Sequence, residues 1–507
     1  MSSTSGTKKI PTMSVKLSES VGPYVLALDV GSTASRGGLY DATGRPVKGS
    51  KERIAHAFTT AGDGTSTIDA GQVVDECAQI VDAVVAFAEE NRLVGEVTGV
   101  AMDSFASSLI LVDADGDALT PCLTYADSRS HRQVRFLQER VDEADYHART
   151  GVRLHTSYHP SRLLWLQQED PETFARTHAA MTIGEYVYLR LAGIRGIATS
   201  MAAWSGILDL HTGELDLPIL QACGTDPDLF AAVHDPDQPA RPAADALPEK
   251  WRMLADADWF HAIPDGWPSN IGPGAVDSST AAVAAATSGA MRVIVSQRPG
   301  TIPDGLWCYR LSRAAWILGG ALNDVGRAVE WLENTVAPVD GELGEVLAGP
   351  PRDDAPAVLP FFSGERATGW ASDARASLVG LTTATGPADL WRGVVEGLAL
   401  SYRRVWDALG EAGAQPERVI ASGRVTIDHP AWLQPLADSL EVPVVPLAMK
   451  RATLRGTALI ALDVLAPDVG RATPPFDEAW SPVAGHAGHY RHARGDFERL
   501  YTALVAD

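Results

Sequence analysis

The stretch Tyr24-Val25-Leu26-Ala27-Leu28-Asp29-Val30-Gly31-Ser32-Thr33 sets the expected fold. An apolar run ends in a single acidic residue, a turn of small residues follows, and residues 37–40 then read as a second strand. Residues 41–44 supply another turn, so the segment is expected to be a β-meander with Asp29 at a strand end. The N–H groups and hydroxyls of such a turn can face phosphate, and one carboxylate beside it suits Mg2+, which takes few carboxylates and keeps several waters. Taken alone, the same letters also describe an ordinary turn.

Working outward, residues 73–90 carry apolar positions at helical spacing, and 97–101 and 108–112 read as two strands around a loop. A mostly helical middle is expected over 131–191, with Trp165 and Leu166 on its apolar face. Residues 226–248, dense in Pro, Asp and Ala, predict an irregular surface connection. The opening pattern then returns: an apolar run at 281–285, a turn through Thr287-Ser288-Gly289, and a second run at 291–295. Each half also has a basic residue in its second run, Arg36 and then Arg292. This repeat suggests two related α/β domains facing each other, at 23–280 and 281–507, behind a disordered tail at 1–22, although on spacing alone any two β-hairpins would look alike.

Composition narrows the function classes. A chain of 507 residues exceeds one core, and 45% hydrophobic with 21% charged residues is ordinary for a folded soluble protein. The net charge of −22 disfavours nucleic-acid backbones and anionic membranes as partners. Cys77, Cys122, Cys223 and Cys308 form no CxxC pair, so a thiolate metal site and a disulfide framework are both unsupported, and a cytoplasmic location is expected. No uncharged apolar run of about 18 residues occurs.

Phosphoryl transfer needs a cradle for phosphates, a carboxylate for hydrated Mg2+ and a base at the acceptor hydroxyl. The sequence lacks GxxxxGK[ST], GxGxxG between a strand and a helix, and GxSxG, so a cradle made by hairpins is favoured. A base candidate lies in Ile263-Pro264-Asp265-Gly266, followed by Gly272 and Gly274, read as glycine-flexible segments around a carboxylate, and locally the same residues also describe an ordinary Asp-Gly turn. Gly319-Gly320 and Ser422-Gly423 follow short apolar runs, where glycine lets a backbone approach a nucleotide. In 360–366 the Glu365-Arg366 pair reads as structural. His486, His489 and His492 would share a face only on a helix, which Gly485 and Gly488 disfavour, so solvated histidines are expected there.

In this order, from Tyr24 to about Leu504, the segments resemble the FGGY carbohydrate kinases. Residues 28–33 resemble that family's first phosphate motif, and 286–292 its second. Residues 99–113 with 124–129 resemble its sugar-site segment and Trp-x-Asp-x-Arg signature. Asp265-Gly266, Gly319 to Asn323, 360–366, Glu396-Gly397, Ser422-Gly423, Trp432-Leu433-Gln434, Ala437-Asp438 and Arg455-Gly456 fall in register. Ser-Gly-Ala-x-Arg together with Leu-Pro-Phe-x-Ser-Gly-Glu-Arg is most similar to the gluconate kinase branch.

The resemblance implies two actin-like, ribonuclease H-like ATPase domains with a cleft between them, a sugar-binding one followed by a nucleotide-binding one. It implies ATP and Mg2+ as cofactors, a sugar or sugar acid as partner, and Asp265 as the catalytic base. Asp29 would hold the metal. Gly31, Ser32, Thr33, Arg36, Thr287, Ser288, Gly289, Gly319, Gly320, Asn323, Gly423 and Arg424 would contact nucleotide. Ser107, Ser108, Tyr125, Asp127, Arg129 and Arg162 would join Asp265 at the sugar, with Arg129, Arg153 and Arg162 as the cations available for a sugar acid's carboxylate. A ketose such as xylulose is the second substrate expectation, and a weakly catalytic sugar sensor the alternative of another class. Assembly as a homodimer is allowed, though no residue specifies it. Departures are Ala286 for a motif glycine, Arg424 for a glycine against adenine, Ser107 for a common histidine and Tyr125 for the usual tryptophan.

Overall fold

The computed structural model describes residues 13–243, 245–339 and 342–505. Strand β1 is Tyr24–Val30, β2 is Ala34–Tyr40 and β3 is Glu52–Ala55. Further on come β4 at Val97–Ser104 and β5 at Asp258–Pro264. These five form one sheet in the order β5-β4-β1-β2-β3, in which β1, β4 and β5 are parallel and β1, β2 and β3 antiparallel. All seven residues of β1 are buried, as expected of a strand covered on both faces.

The two-residue period decides what covers each face. Leu26, Leu28 and Val30 pack with Ile80, Val81 and Val84 of the helix Ala70–Glu90. Val25 and Ala27 point the other way and pack with Leu454, Ala458 and Leu462 of the helix Ala452–Leu465. The first sheet is therefore completed by the helix Ala452–Leu465, which follows β1 only after most of the chain. For this reason the chain does not divide into two contiguous halves. One compact unit takes the described residues up to Gly274 together with Tyr309–Trp316 and Met449–Pro474. The other takes Ala275–Cys308, Ile317–Ala448 and the described residues from Pro475 onward.

A second sheet repeats the plan. Its strands are β6 (Thr280–Ala285), β7 (Gly289–Val295), β8 (Trp307–Ser312), β9 (Ala315–Leu322), β10 (Arg418–Ser422) and β11 (Val444–Pro446). Their order is β8-β9-β7-β6-β10-β11, with β6 and β7 antiparallel and β6, β10 and β11 parallel. In each sheet a hairpin opens the unit and two parallel strands are added beside its first strand. The 25-residue helix Pro387–Glu411 buries Val394, Leu398, Tyr402 and Val405 at helical spacing.

Two expectations need correction. Residues 1–12 of the expected disordered tail lie outside the described residues, but the remainder is docked: Val15 is buried and exchanges backbone hydrogen bonds with Pro46 and Lys48. The segment around His489 and His492 is helical, Ala487–Leu504, because burial of Tyr490, Phe497 and Tyr501 outweighs the low helix propensity of Gly488. Among the described residues, no helix is long and apolar enough to cross a membrane.

Candidate active site

The turn between β1 and β2 is closed by Gly31 N donating to Ala34 O at 3.1 Å. Antiparallel register sets Asp29 opposite Arg36, and the two form an ion pair at 3.0 Å. His56 braces the turn, with Nε2 2.7 Å from Gly31 O and Nδ1 2.8 Å from the Glu76 carboxylate, which also accepts from Ser35 at 2.7 Å. Ser32 is half-buried and Thr33 exposed. His56 and Glu76 were not expected from sequence, since neither stands near the turn in the chain.

Parallel register extends the site sideways. Asp29 on β1 lies opposite Asp103 on β4, and Pro264 on β5 lies opposite Ser104. The backbone N–H of Asp265 donates to Ser104 O at 2.9 Å. Three carboxylates thus end three adjacent strands, with Asp265 half-buried and Asp103 fully buried. Asp103 Oδ2 accepts from the Thr457 hydroxyl, and Oδ1 receives no hydrogen bond. Burial, reinforced by the charges of Asp29 and Asp265, pushes the Asp103 carboxyl well above the usual carboxylate range. Burial also raises Asp29, outweighing the neighbouring Arg36.

Among the described residues no three metal-ligating side chains converge into a cage. Mg2+ needs no such cage, since one or two carboxylates plus waters and phosphate oxygens satisfy it. Asp29 and the unpartnered Asp103 oxygen are hard donors of that type, so the residues fit the ion.

Beside the base candidate, Gly266 is where a ring approaches: a Cβ there would lie 3.0 Å from the Trp204 ring. Trp204 stacks on Tyr309 with centroids 3.8 Å apart, and the Tyr309 hydroxyl is 2.8 Å from that of Tyr158. Gly272 does not confer flexibility as expected. It is helical, and a Cβ would fall 1.8 Å from Ala452 O, so glycine permits backbone contact with the helix Ala452–Leu465. Gly456 does the same from the other side, where a Cβ would lie 2.1 Å from Pro268 O. The short helix Pro268–Ile271, which follows Asp265 after Gly266 and Trp267, is clamped in this way.

In the expected sugar segment, Ser107 is buried at φ 56°, with Oγ donating to Trp204 O at 2.5 Å. Ser108 is buried, its hydroxyl accepting from Ile183 N at 2.9 Å and its carbonyl 2.8 Å from His159 Nε2. Asp127 accepts from Ser66 N at 3.0 Å and from Arg129 Nη2 at 2.7 Å, and the Arg129 guanidinium lies 4.4 Å above the Trp165 ring. Tyr125 is exposed near Phe58. Arg162 has its guanidinium committed to backbone carbonyls. It is fully buried, and its guanidinium donates to the carbonyls of Thr156, Ser107 and Thr124, each at 2.6 Å, and of Asp127 at 3.3 Å. Burial lowers its pKa to about 10. Arg153 pairs with Glu143 at 3.5 Å.

In the second unit the turn of Thr287 and Ser288 is exposed, and Ala286, which stands where glycine was expected, is not among the residues with positive φ. Its methyl group therefore introduces no backbone strain. Gly289 makes room for the Tyr402 hydroxyl, which donates to Ala284 O at 2.8 Å. Gly319 and Gly320 sit inside β9, and the space beside each is taken by Trp307 and by Ala367 and Val405. Glycine there gives the neighbouring side chains room to close on the strand. Asn323 donates to Gly364 O at 2.9 Å, which fixes the loop after residue 360. Gly423 adopts φ 104°, and Arg424 extends into solvent, paired with Asp428 at 2.8 Å rather than poised over a base. His486, His489 and His492 pair separately with Asp438, with Glu396 and Asp353, and with Asp496.

Two α/β units, each opening on a strand-turn-strand element, and a first sheet that ends in carboxylates define the actin-like, ribonuclease H-like class of phosphotransferases. The chain belongs to the FGGY family of carbohydrate kinases, whose N-terminal domain matches residues 24–247 and C-terminal domain residues 282–462. It is similar to a gluconokinase of Bacillus subtilis (strain 168), 26% identical over 454 residues that make up 87% of each protein. The gluconate kinase of Lactobacillus acidophilus superposes with a TM-score of 0.86 at 26% identity, covering 96% of this chain and 98% of that one. A ligand-bound xylulose kinase from the same organism also gives 0.86, at 25% identity, covering 97% and 98%. The expected fold class and enzyme class stand: this is a sugar kinase that uses ATP as phosphoryl donor.

Proposed function

We propose that the chain phosphorylates an aldonate such as gluconate, with Mg2+-bound ATP as donor and Asp265 as the base. The observation that carries this reading is the position of Asp265: half-buried, just beyond β5, with its backbone tied to Ser104 and its flank set by Trp204. Fixed this way, its carboxylate can accept the proton of a sugar hydroxyl as that oxygen attacks phosphorus in line. Asp29 would hold the hydrated metal, which when bound neutralises charge on the phosphates. Gly31, Ser32 and Thr33 of the first unit would orient the phosphates through backbone N–H groups and hydroxyls, and Thr287, Ser288 and Gly289 form the equivalent turn of the second unit. The proposed location is the cytoplasm, where ATP is abundant and four unpaired cysteines stay reduced.

A coupled ADP-release assay on a panel of aldonates and ketoses tests the substrate. Gluconate is expected to exceed xylulose at least tenfold in kcat/KM. One observation favours the ketose instead: all three candidate cations already have partners, Arg162 on carbonyls, Arg153 on Glu143 and Arg129 on Asp127. The opposite ranking in the assay would establish the ketose. Asp265→Asn is expected to lower kcat by about 10²–10⁴, and a rate within a few-fold of wild type would remove Asp265 from the role.

A further inference from the structure

We propose that Asp103 is a second carboxylate of the divalent-cation site, standing beside Asp29 and completing the oxygen set that holds the hydrated ion. The inference rests on the reading that Asp29 faces a nucleotide-bound metal.

Parallel pairing of β1 and β4 sets Asp103 directly opposite Asp29, one strand over. The side chain has no exposure to solvent, and Oδ2 is taken by the Thr457 hydroxyl. Oδ1 receives a hydrogen bond from no donor, although it is buried. The neighbouring titratable group that acts most strongly on this side chain is the Asp29 carboxyl, which interacts with it directly. Two ionised carboxylates set side by side in a buried place repel, and they coexist only with a shared proton or with a cation between them. Arg36 already occupies Asp29 Oδ2, so it does not satisfy Asp103. A divalent cation with its water shell would satisfy the remaining lone pairs, because water bound to Mg2+ donates strongly to carboxylate oxygen. Thr457 then has a definite task. By holding Oδ2 it turns Oδ1 toward the ion, as partners outside the coordination sphere commonly orient metal-binding groups.

The test is a paramagnetic resonance titration of Mn2+, with ADP present, into the full-length wild type, Asp103→Asn and Asp29→Asn. Asp103→Asn is expected to weaken Mn2+ binding at least about tenfold, and Asp29→Asn at least as much. Binding within twofold of wild type for Asp103→Asn, alongside a loss for Asp29→Asn, overturns the inference and leaves the Asp29 reading standing. Wild-type binding by Asp29→Asn overturns both. If Asp103→Asn fails to fold, Thr457→Val keeps the charge and removes only its orientation. A several-fold weakening there supports the proposal, and unchanged Mn2+ binding overturns it.

Discussion

Replacing Arg162 by Met should damage the proposed sugar-binding segment from a position committed to backbone carbonyls. The guanidinium donates three hydrogen bonds of 2.6 Å to the carbonyls of Thr156, Ser107 and Thr124. At about 2 kcal/mol for a hydrogen bond involving a charged group, these amount to about 6 kcal/mol. Removing the buried cation returns part of that, on the order of 2–3 kcal/mol, because its desolvation no longer has to be offset. The expected net loss is therefore about 3–4 kcal/mol, a large fraction of the ~5–15 kcal/mol that stabilises a typical domain. Urea unfolding followed by tryptophan fluorescence reads it, with the transitions of the two units fitted separately. The three loops share one guanidinium, so KM for the sugar should rise at least tenfold while KM for ATP stays within twofold. Arg162→Lys should recover less than half of the stability, since an ammonium cannot reproduce the planar fork. A loss below about 1 kcal/mol with an unchanged sugar KM would refute the reasoning.

Gly456→Ala places a methyl carbon against Pro268 O and should separate the two backbones, lowering kcat more than KM because only Gly266 and Trp267 join Asp265 to the displaced helix; kinetics at wild-type values would contradict this. Glu365→Ala strips partners from Arg404, Tyr501 and the N–H groups of Thr368 and Gly369, so calorimetry should show the second unit destabilised by about 3 kcal/mol or more. His261 is pushed down to about 4 by burial and by the stacked His234, so it stays neutral in the fold but takes a proton at about 6.5 when unfolded. Its stabilisation is complete above pH 6.5 and is lost as pH falls through the range from 6.5 to 4. His261→Phe should therefore lose about 2 kcal/mol less than wild type between pH 7 and pH 5, and equal losses would count against it.

The two hairpins were legible because each writes its own signals into adjacent residues: a two-residue period, small turn residues and, in the first, a terminal Asp29. Asp265 was legible as a candidate because a strand end, a proline and a glycine surround it. Asp103 was not, since its meaning comes from parallel pairing with a strand more than 70 residues earlier, and nothing beside it reports that register. Glycines were misread for a related reason. A glycine that admits a ligand and one that admits a neighbouring strand or helix look alike in sequence, and only the neighbours separate Gly319 and Gly272 from that expectation. Arg162 was assigned to substrate because charge is visible in a sequence and burial is not. The helix at Ala487–Leu504 was missed because propensity was weighed without the three aromatic side chains that anchor it.

The helix Ala452–Leu465 has a consequence for how the molecule is made. A ribosome releases β1, β4 and β5 long before Thr457, Arg455 and Gly456 exist, so during synthesis the carboxylate-bearing strands wait with one face uncovered. The nascent first unit cannot finish until the second has largely been translated. A fragment ending before residue 449 should therefore emerge sticky and chaperone-dependent, and supplying the missing helix as a separate peptide should rescue it.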